Sequence, residues 1–288
     1  MGIGFIGAGK VGTAFGRFLH DHGVAISGYY DRHAEKIQRA SAVTGSRAFP
    51  DAAMLASRSD IILITTRDDQ IADVCSGLCQ QKKITPRHLV GHMSGAHSSR
   101  ILDDAQRLGA TVFSLHPLQA FADENKALAE LPDTFFSLEG EAERLQPIRQ
   151  ILAQTGNRYF SISSQNKSLY HLSACILSNY LVTLMDTGLA ALGISGIDPE
   201  QGFQAMRPLI EGTLSNIARM GTSRALTGPI IRGDAGTILR HLQTLNRSGL
   251  EDIESLYRQM GLHTVKLASR TVLSPEDAAA MRRLLENK

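Results

Sequence analysis

The chain has 288 residues, 43% of them hydrophobic, and its 30 Lys and Arg against 28 Asp and Glu leave a formal charge of +2. That is apolar material enough for two domains, and basic residues dispersed without interleaved aromatics exclude a nucleic-acid-binding domain while leaving room for a small anionic ligand. Three cysteines, Cys75, Cys79 and Cys175, are too few for a disulfide framework; with a strand opening the chain in place of an export signal, the expected location is the cytoplasm.

The first element is an apolar strand around Ile3, Phe5 and Ile6, followed at once by Gly7-Ala8-Gly9-Lys10-Val11-Gly12 and a helical pattern that ends at Gly23. This strand–loop–helix context turns a weak G-x-G-x-x-G match into a dinucleotide-binding expectation. The first glycine permits the tight turn, the second lets backbone approach a pyrophosphate, and the third lets helix and strand pack closely. Backbone N–H groups from Gly7 to Gly12 then meet the phosphates at a helix N-terminus. Val24 to Tyr30 reads as the second strand, and its end should select the cofactor: Asp31 suits a ribose hydroxyl, whereas Arg32, His33 and Lys36 suit a 2′-phosphate. The cationic cluster favours NADP, with NAD as the alternative.

A helix over Ala34 to Thr44 precedes strands at Asp60 to Thr66, His88 to Met93 and Ala110 to Leu115. Thr134 to Leu138 and Arg158 to Ile162 then extend the sheet around a helix from Glu141 to Gln154. Alternating strands and helices predict an α/β fold, a doubly wound Rossmann-type and mostly parallel sheet over residues 1–163. From 164 to 288 the pattern is helical. Asp198-Pro199-Glu200-Gln201 and Ser274-Pro275-Glu276-Asp277 read as helix starts, and Asp234 as the cap of a helix over Ala235 to Leu245. One helix from Gln165 to Leu192, closed by Gly193 and about 42 Å long, would be the spine of this second domain. It is nearly apolar all round. His171, Ser173, Ser178, Asn179 and Thr183 interrupt it, no tryptophan belt flanks it, and the expectation is no membrane span but burial within the helical domain or between two copies in a homodimer.

In a doubly wound sheet the ligand lies beyond the carboxyl ends of the strands. Thr65 and Thr66 follow one strand and are expected to line the nicotinamide ribose. Ser94, with His92 and Gly95, follows the next, and His116-Pro117-Leu118-Gln119 a third. On the expected spine, Lys167, His171 and Ser178 fall within about 40° of one face, with Asn179 further round. Hydride chemistry needs a proton donor and orienting hydrogen bonds. Lys167 or His171 is expected to protonate, Ser178 and Asn179 to orient, and His92, Ser94 and His116 to shape the pocket. Arg232 is expected to grip a substrate carboxylate in a forked geometry. A metal held by the histidines is not expected, since no ligand-spaced motif supports it.

These segments in this order resemble a bacterial family that joins a Rossmann-like NADP-binding domain to a C-terminal helical domain of unknown function. The resemblance rests on the glycine loop, His92-x-Ser94-Gly95-Ala96, His116-Pro117-Leu118-Gln119, Tyr170-His171 with Ser178-Asn179-Tyr180, and Thr227-Gly228-Pro229 with Arg232-Gly233-Asp234. That family is similar in architecture to pyrroline-5-carboxylate reductase, ketopantoate reductase and deazaflavin-dependent NADP reductases. The resemblance implies an NADP-dependent oxidoreductase acting on a carbonyl or imine substrate, with ketopantoate the leading candidate. Lys167 fits the lysine of ketopantoate reductases; their asparagine one turn on is His171 here. A dinucleotide-binding sensor without turnover is the alternative.

Overall fold

The computed structural model describes residues 1–286. The chain divides into two compact units, Met1–Ser178 and Asn179 onward. The expected domain limit after residue 163 lies ahead of that division.

The first unit carries an eight-stranded sheet. Its strands are β1 (Ile3–Ile6), β2 (Ile26–Tyr30), β3 (Arg47–Ala48), β4 (Ile61–Ile64), β5 (Leu89–His92), β6 (Thr111–Pro117), β7 (Phe136–Gly140) and β8 (Tyr159–Ser161). They lie in the order β3-β2-β1-β4-β5-β6-β7-β8. Only the β6–β7 pair is antiparallel. Its helices are α1 (Lys10–Asp21), α2 (Ala34–Thr44), α3 (Ala52–Ser57), α4 (Ile71–Gln80), α5 (Asp103–Arg107), α6 (Glu124–Glu130), α7 (Gln146–Gln154) and α8 (Lys167–Leu177).

Residue alternation along the strands sends side chains to two cores, as a sheet covered on both faces requires. Ile61, Leu63, Phe113 and Leu115 join Phe15, Phe18 and Leu19 of α1 and Ile148 and Leu152 of α7 on one face. Ile62, Ile64, Val90 and Val112 meet Leu55 of α3 and Ile71, Cys75 and Leu78 of α4 on the other. Because β2 and β3 lie on one side of β1 and β4 on the other, the strand order reverses between β1 and β4, where an open α/β sheet leaves a crevice.

The second unit holds α9 (Asn179–Ile194), α10 (Pro199–Met220), α11 (Thr222–Ala225), α12 (Ala235–Arg247), α13 (Glu251–Ala268) and α14 (Pro275–Glu286). The three expected helix starts are where the capping patterns put them. The Asp198 carboxylate accepts from the N–H groups of Glu200 and Gln201, Asp234 from Thr237 N, and the Ser274 hydroxyl from Asp277 N. Helices α12 to α14 enclose a small core around Ile238, Leu242, Val265, Met281 and Leu285.

Two expectations about the spine are corrected. The helix is not continuous: α8 ends at Leu177, Ser178 takes φ −116° and ψ −70°, and α9 begins at Asn179. It also runs past Gly193, stopping ahead of Gly196, whose φ of +91° ends it. Nor is it buried. The stretch Ser164–Ile194 has the length and mean hydropathy, 1.4, of a membrane span, yet the chain covers none of its apolar window. Leu177, Val182 and Leu209 of α10 are 76%, 69% and 68% exposed.

Candidate active site

The glycine loop has the geometry its spacing promised. Gly7 has a φ of +108°, and a Cβ there would lie 2.6 Å from the Thr65 backbone. A Cβ at Gly12 would lie 2.5 Å from the Gly7 carbonyl oxygen. At Gly9 a Cβ would meet nothing within 4 Å, so the middle glycine borders open space. Gly9 is also the N-cap of α1, makes no side-chain cap, and no acidic residue occupies the first turn. The first N–H groups of α1 therefore lack side-chain partners, the arrangement that receives an anion. Lys10 is exposed, its ammonium donating to the Ala122 carbonyl, and Val11 is half-exposed behind it.

A cleft of about 360 Å³ opens beside this loop, lined by Gly7, Gly9, Asp31, Arg32, His33, Lys36, Thr65, Thr66 and Arg67 among others. Within it Asp31 is already engaged. One carboxylate oxygen accepts from Ala8 N at 2.9 Å and the other from His33 N at 3.0 Å. Arg32 and Lys36 are exposed at the same strand end. Thr65 turns inward, its hydroxyl donating to the Gly7 carbonyl at 2.6 Å, so it braces the loop through that bond. Thr66 stands more open, with only a long bond to the Arg67 carbonyl.

Beyond β5, two residues expected to face ligand are spent on structure. His92 is wholly buried; its Nδ1 accepts from Ser94 N at 3.2 Å, which leaves Nε2 to donate to the Ser98 carbonyl at 3.2 Å. Burial pushes its pKa down to about 4, so it stays neutral. The Ser94 hydroxyl donates to the Asp68 carboxylate at 2.8 Å and accepts from Ala96 N and His97 N, tying the β5 turn to the loop after β4. Both side chains are thus committed to partners within the protein.

The chemistry concentrates where α8 crosses β6 and β7. Ser114 and His116 are two apart on β6 and share a face; the antiparallel register sets Glu139 opposite Ser114 and Ser137 opposite His116. Residues at i, i+3 and i+4 share a helix face, so α8 brings Lys167, Tyr170 and His171 to this surface together. The result is a polar layer inside the protein. Ser114 and Ser137 are 0% exposed, Glu139 and Lys167 1%. Lys167 Nζ donates to Ser114 Oγ at 2.8 Å, and Ser114 Oγ donates to the Ser94 carbonyl at 3.3 Å. Glu139 accepts from Ser99 N at 2.6 Å, Ser99 Oγ at 2.9 Å and Ser164 Oγ at 2.5 Å. Burial lowers the Lys167 pKa to about 8, against the favourable charge of Glu139.

His116 Nδ1 and the Tyr170 hydroxyl are 2.6 Å apart. Burial first, then the neighbouring Lys167 ammonium, push His116 down to about 4. A Cβ at Gly95 would sit 2.7 Å from His171 Cδ2 and 2.8 Å from His116 Nε2, so the absent side chain is what admits both imidazoles. Buried polar groups gathered so densely are costly unless paired, and perturbed titrations of this kind mark reaction sites. Among the described residues no three His, Cys, Asp or Glu side chains converge as metal ligands would.

The structure therefore brings Lys167, His116 and His171 together, and adds Tyr170, Ser114 and Glu139, which sequence reasoning gave no role. The i, i+3, i+4 spacing on α8 and the i, i+2 spacing on β6 were the available signals. Ser178 lies exposed at the helix break, and Asn179 opens α9, so the single helical phase used to group them with Lys167 does not apply. Arg232 is exposed in the turn before α12, in the second unit, and makes no ion pair among the described residues.

Two family models match the chain. Residues 1–117 match the model of a Rossmann-like domain, and residues 134–264 that of a domain of unknown function, DUF2520. The chain joins a Rossmann-like domain to a DUF2520 domain. No curated protein matches it in sequence. Among solved structures, a protein from Thermotoga maritima is 24% identical with a TM-score of 0.65, the match covering 99% of this chain and 98% of that one. A Bacteroides fragilis protein described as a candidate NADP oxidoreductase is 21% identical, TM-score 0.71, over 90% and 96%. A reductive aminase from Aspergillus terreus, in complex with NADPH and ethyl-5-oxohexanoate, is 15% identical, TM-score 0.63, over 99% and 92%. At these identities the likeness is one of fold.

Proposed function

We propose that this DUF2520 protein is an NADPH-dependent reductase of a small carboxylate-bearing carbonyl or imine compound, soluble and working as a homodimer. The open space at Gly9 carries the reading: of the loop's three glycines it is the one where an added Cβ would meet nothing within 4 Å, and it is itself the N-cap of α1, without a side-chain cap. Bound there, the dinucleotide would supply a hydride. Gly7 to Gly12 would hold its diphosphate through backbone N–H groups. Arg32, His33 and Lys36 cluster at the end of β2 and would take the 2′-phosphate, with Asp31 turned back to the Ala8 and His33 backbone N–H groups. That the Bacteroides and Aspergillus proteins are described with NADP and NADPH supports the same preference.

On the substrate side, the buried Lys167 contributes positive potential, the neutral His116 a hydrogen-bond donor, and His171 a second imidazole beside Gly95. Ketopantoate, the candidate named by the family resemblance, heads the substrate panel, followed by other 2-oxo acids and cyclic imines. Arg232→Ala is included because a freely presented guanidinium suits a carboxylate; a raised KM with unchanged kcat is expected. The uncovered apolar residues of α9 and α10 support the dimer, since a helix pair leaves few such residues in water. The deciding experiment is calorimetric titration with NADPH and NADH, then NADPH oxidation across the panel. Binding without turnover on any member would point to a sensor, and no binding at all would end the proposal.

A further inference from the structure

We propose that the His116 Nε2–H group is the proton donor to the atom that gains charge during reduction, and that Tyr170 is its positioning residue and proton reserve. The inference rests on the reductase reading above and refines it.

A phenol is a stronger acid than a neutral imidazole N–H, and an imidazole nitrogen is a better acceptor than a phenol oxygen. Across the 2.6 Å contact the Tyr170 hydroxyl therefore donates and His116 Nδ1 accepts. A neutral ring that accepts at Nδ1 carries its hydrogen on Nε2. That nitrogen points into the space left by the missing side chain of Gly95, beside His171. Lys167 is the stronger acid but is not placed to donate, because it is 1% exposed and its ammonium is committed to Ser114. Its place is behind the phenol, with Nζ 5.3 Å from the centre of the Tyr170 ring. The other ionisable groups acting on His116 are His171, Asp68 and His92. Burial raises the Tyr170 phenol, and the buried Ser137 hydroxyl makes no hydrogen bond.

Hydride from the reduced nicotinamide dinucleotide forms a C–H bond at the carbonyl or imine carbon while the π pair moves to oxygen or nitrogen. That atom takes the proton from His116 Nε2. The ring regains neutrality by taking the Tyr170 proton at Nδ1, leaving a phenolate near the Lys167 ammonium; Nδ1 then gives that proton back to the phenolate as solvent water protonates Nε2, which restores the starting tautomer. The dinucleotide is oxidised by two electrons, and the substrate gains one hydride and one proton.

The test has a readout that needs no cofactor. Imidazole ¹⁵N spectra of the full chain, with His116 assigned by its loss in His116→Gln, should show a neutral ring protonated on Nε2 between about pH 6 and 8, and Tyr170→Phe should show mixed tautomers. An imidazolium at pH 7, or a ring protonated on Nδ1 in the native chain, would overturn the proposal. In turnover, Tyr170→Phe and His116→Gln should each lower kcat by about 100-fold or more, with NADPH affinity unchanged. Native kcat in Tyr170→Phe would overturn the role of Tyr170 and leave the reductase intact. A native chain that turns over no substrate sinks the reductase reading itself, whatever the tautomer; should Tyr170→Phe fail to fold, the native spectrum decides.

Discussion

Replacing Lys167 with methionine should change how stability depends on pH, and by an amount the structure sets. The ammonium is 1% exposed, and burial lowers its pKa from 10.5 to about 8. A base whose folded-state pKa is depressed binds fewer protons folded than unfolded between those two values, so stability is penalised below about pH 8 and recovered as pH rises toward 10.5. Shifts of this size correspond to about 3 kcal/mol in full, of which about 2.5 kcal/mol should be regained between pH 7 and pH 10. Methionine keeps most of the volume and cannot titrate. Urea unfolding of the native chain and Lys167→Met at both pH values isolates the effect, because every other group cancels in the difference. The native chain should gain about 2.5 kcal/mol on the variant over that interval. Parallel pH profiles would mean that Lys167 keeps an ordinary pKa inside the protein, and the account of the polar layer would fail.

Gly9→Ala should fold normally, since its Cβ meets no protein atom, yet weaken NADPH binding at least about 10-fold by filling the phosphate space. Gly12→Ala should instead lower the melting temperature by several degrees, about 1–3 kcal/mol of overpacking, because its Cβ meets the Gly7 carbonyl at 2.5 Å. Arg32→Ala should lower the NADPH-over-NADH affinity ratio by about 10- to 100-fold in calorimetry, the worth of charge-assisted hydrogen bonds to a phosphate. Sedimentation in detergent-free buffer should give twice the chain mass, and Val182→Glu with Leu209→Glu should shift it to the single-chain mass; a native chain that requires detergent would instead favour a membrane for α9 and α10.

The glycine loop, the doubly wound sheet and the proline-marked helix starts were legible because each is a local pattern: a few residues fix a turn, an alternation or a cap. Asp31 shows where locality stops. Its place at the end of β2 was plain, but whether it faces a ribose or turns back to Ala8 N depends on the loop folding next to it. The same holds for His92 and Ser94, whose position after a strand suggested ligand contact while tertiary packing gave their polar atoms backbone and carboxylate partners. Glu139 was invisible as a site residue because only the reversal of β7 against β6 sets it across from Ser114. The break at Ser178 left no mark of its own, for neither glycine nor proline stands there.

The bonds from Lys167 to Ser114, from Ser114 to the Ser94 carbonyl and from the Ser94 hydroxyl to Asp68 run without interruption from the helix with the paired imidazole and phenol to the loop flanking the dinucleotide cleft. The proposed reacting groups and the cleft wall consequently share one hydrogen-bonded frame that leaves out the outer face of α8. Leu169, Leu172 and Ile176 stand exposed on that outer face, so substitutions there should leave the proposed His116–Tyr170 pair and the polar layer beneath it in alignment.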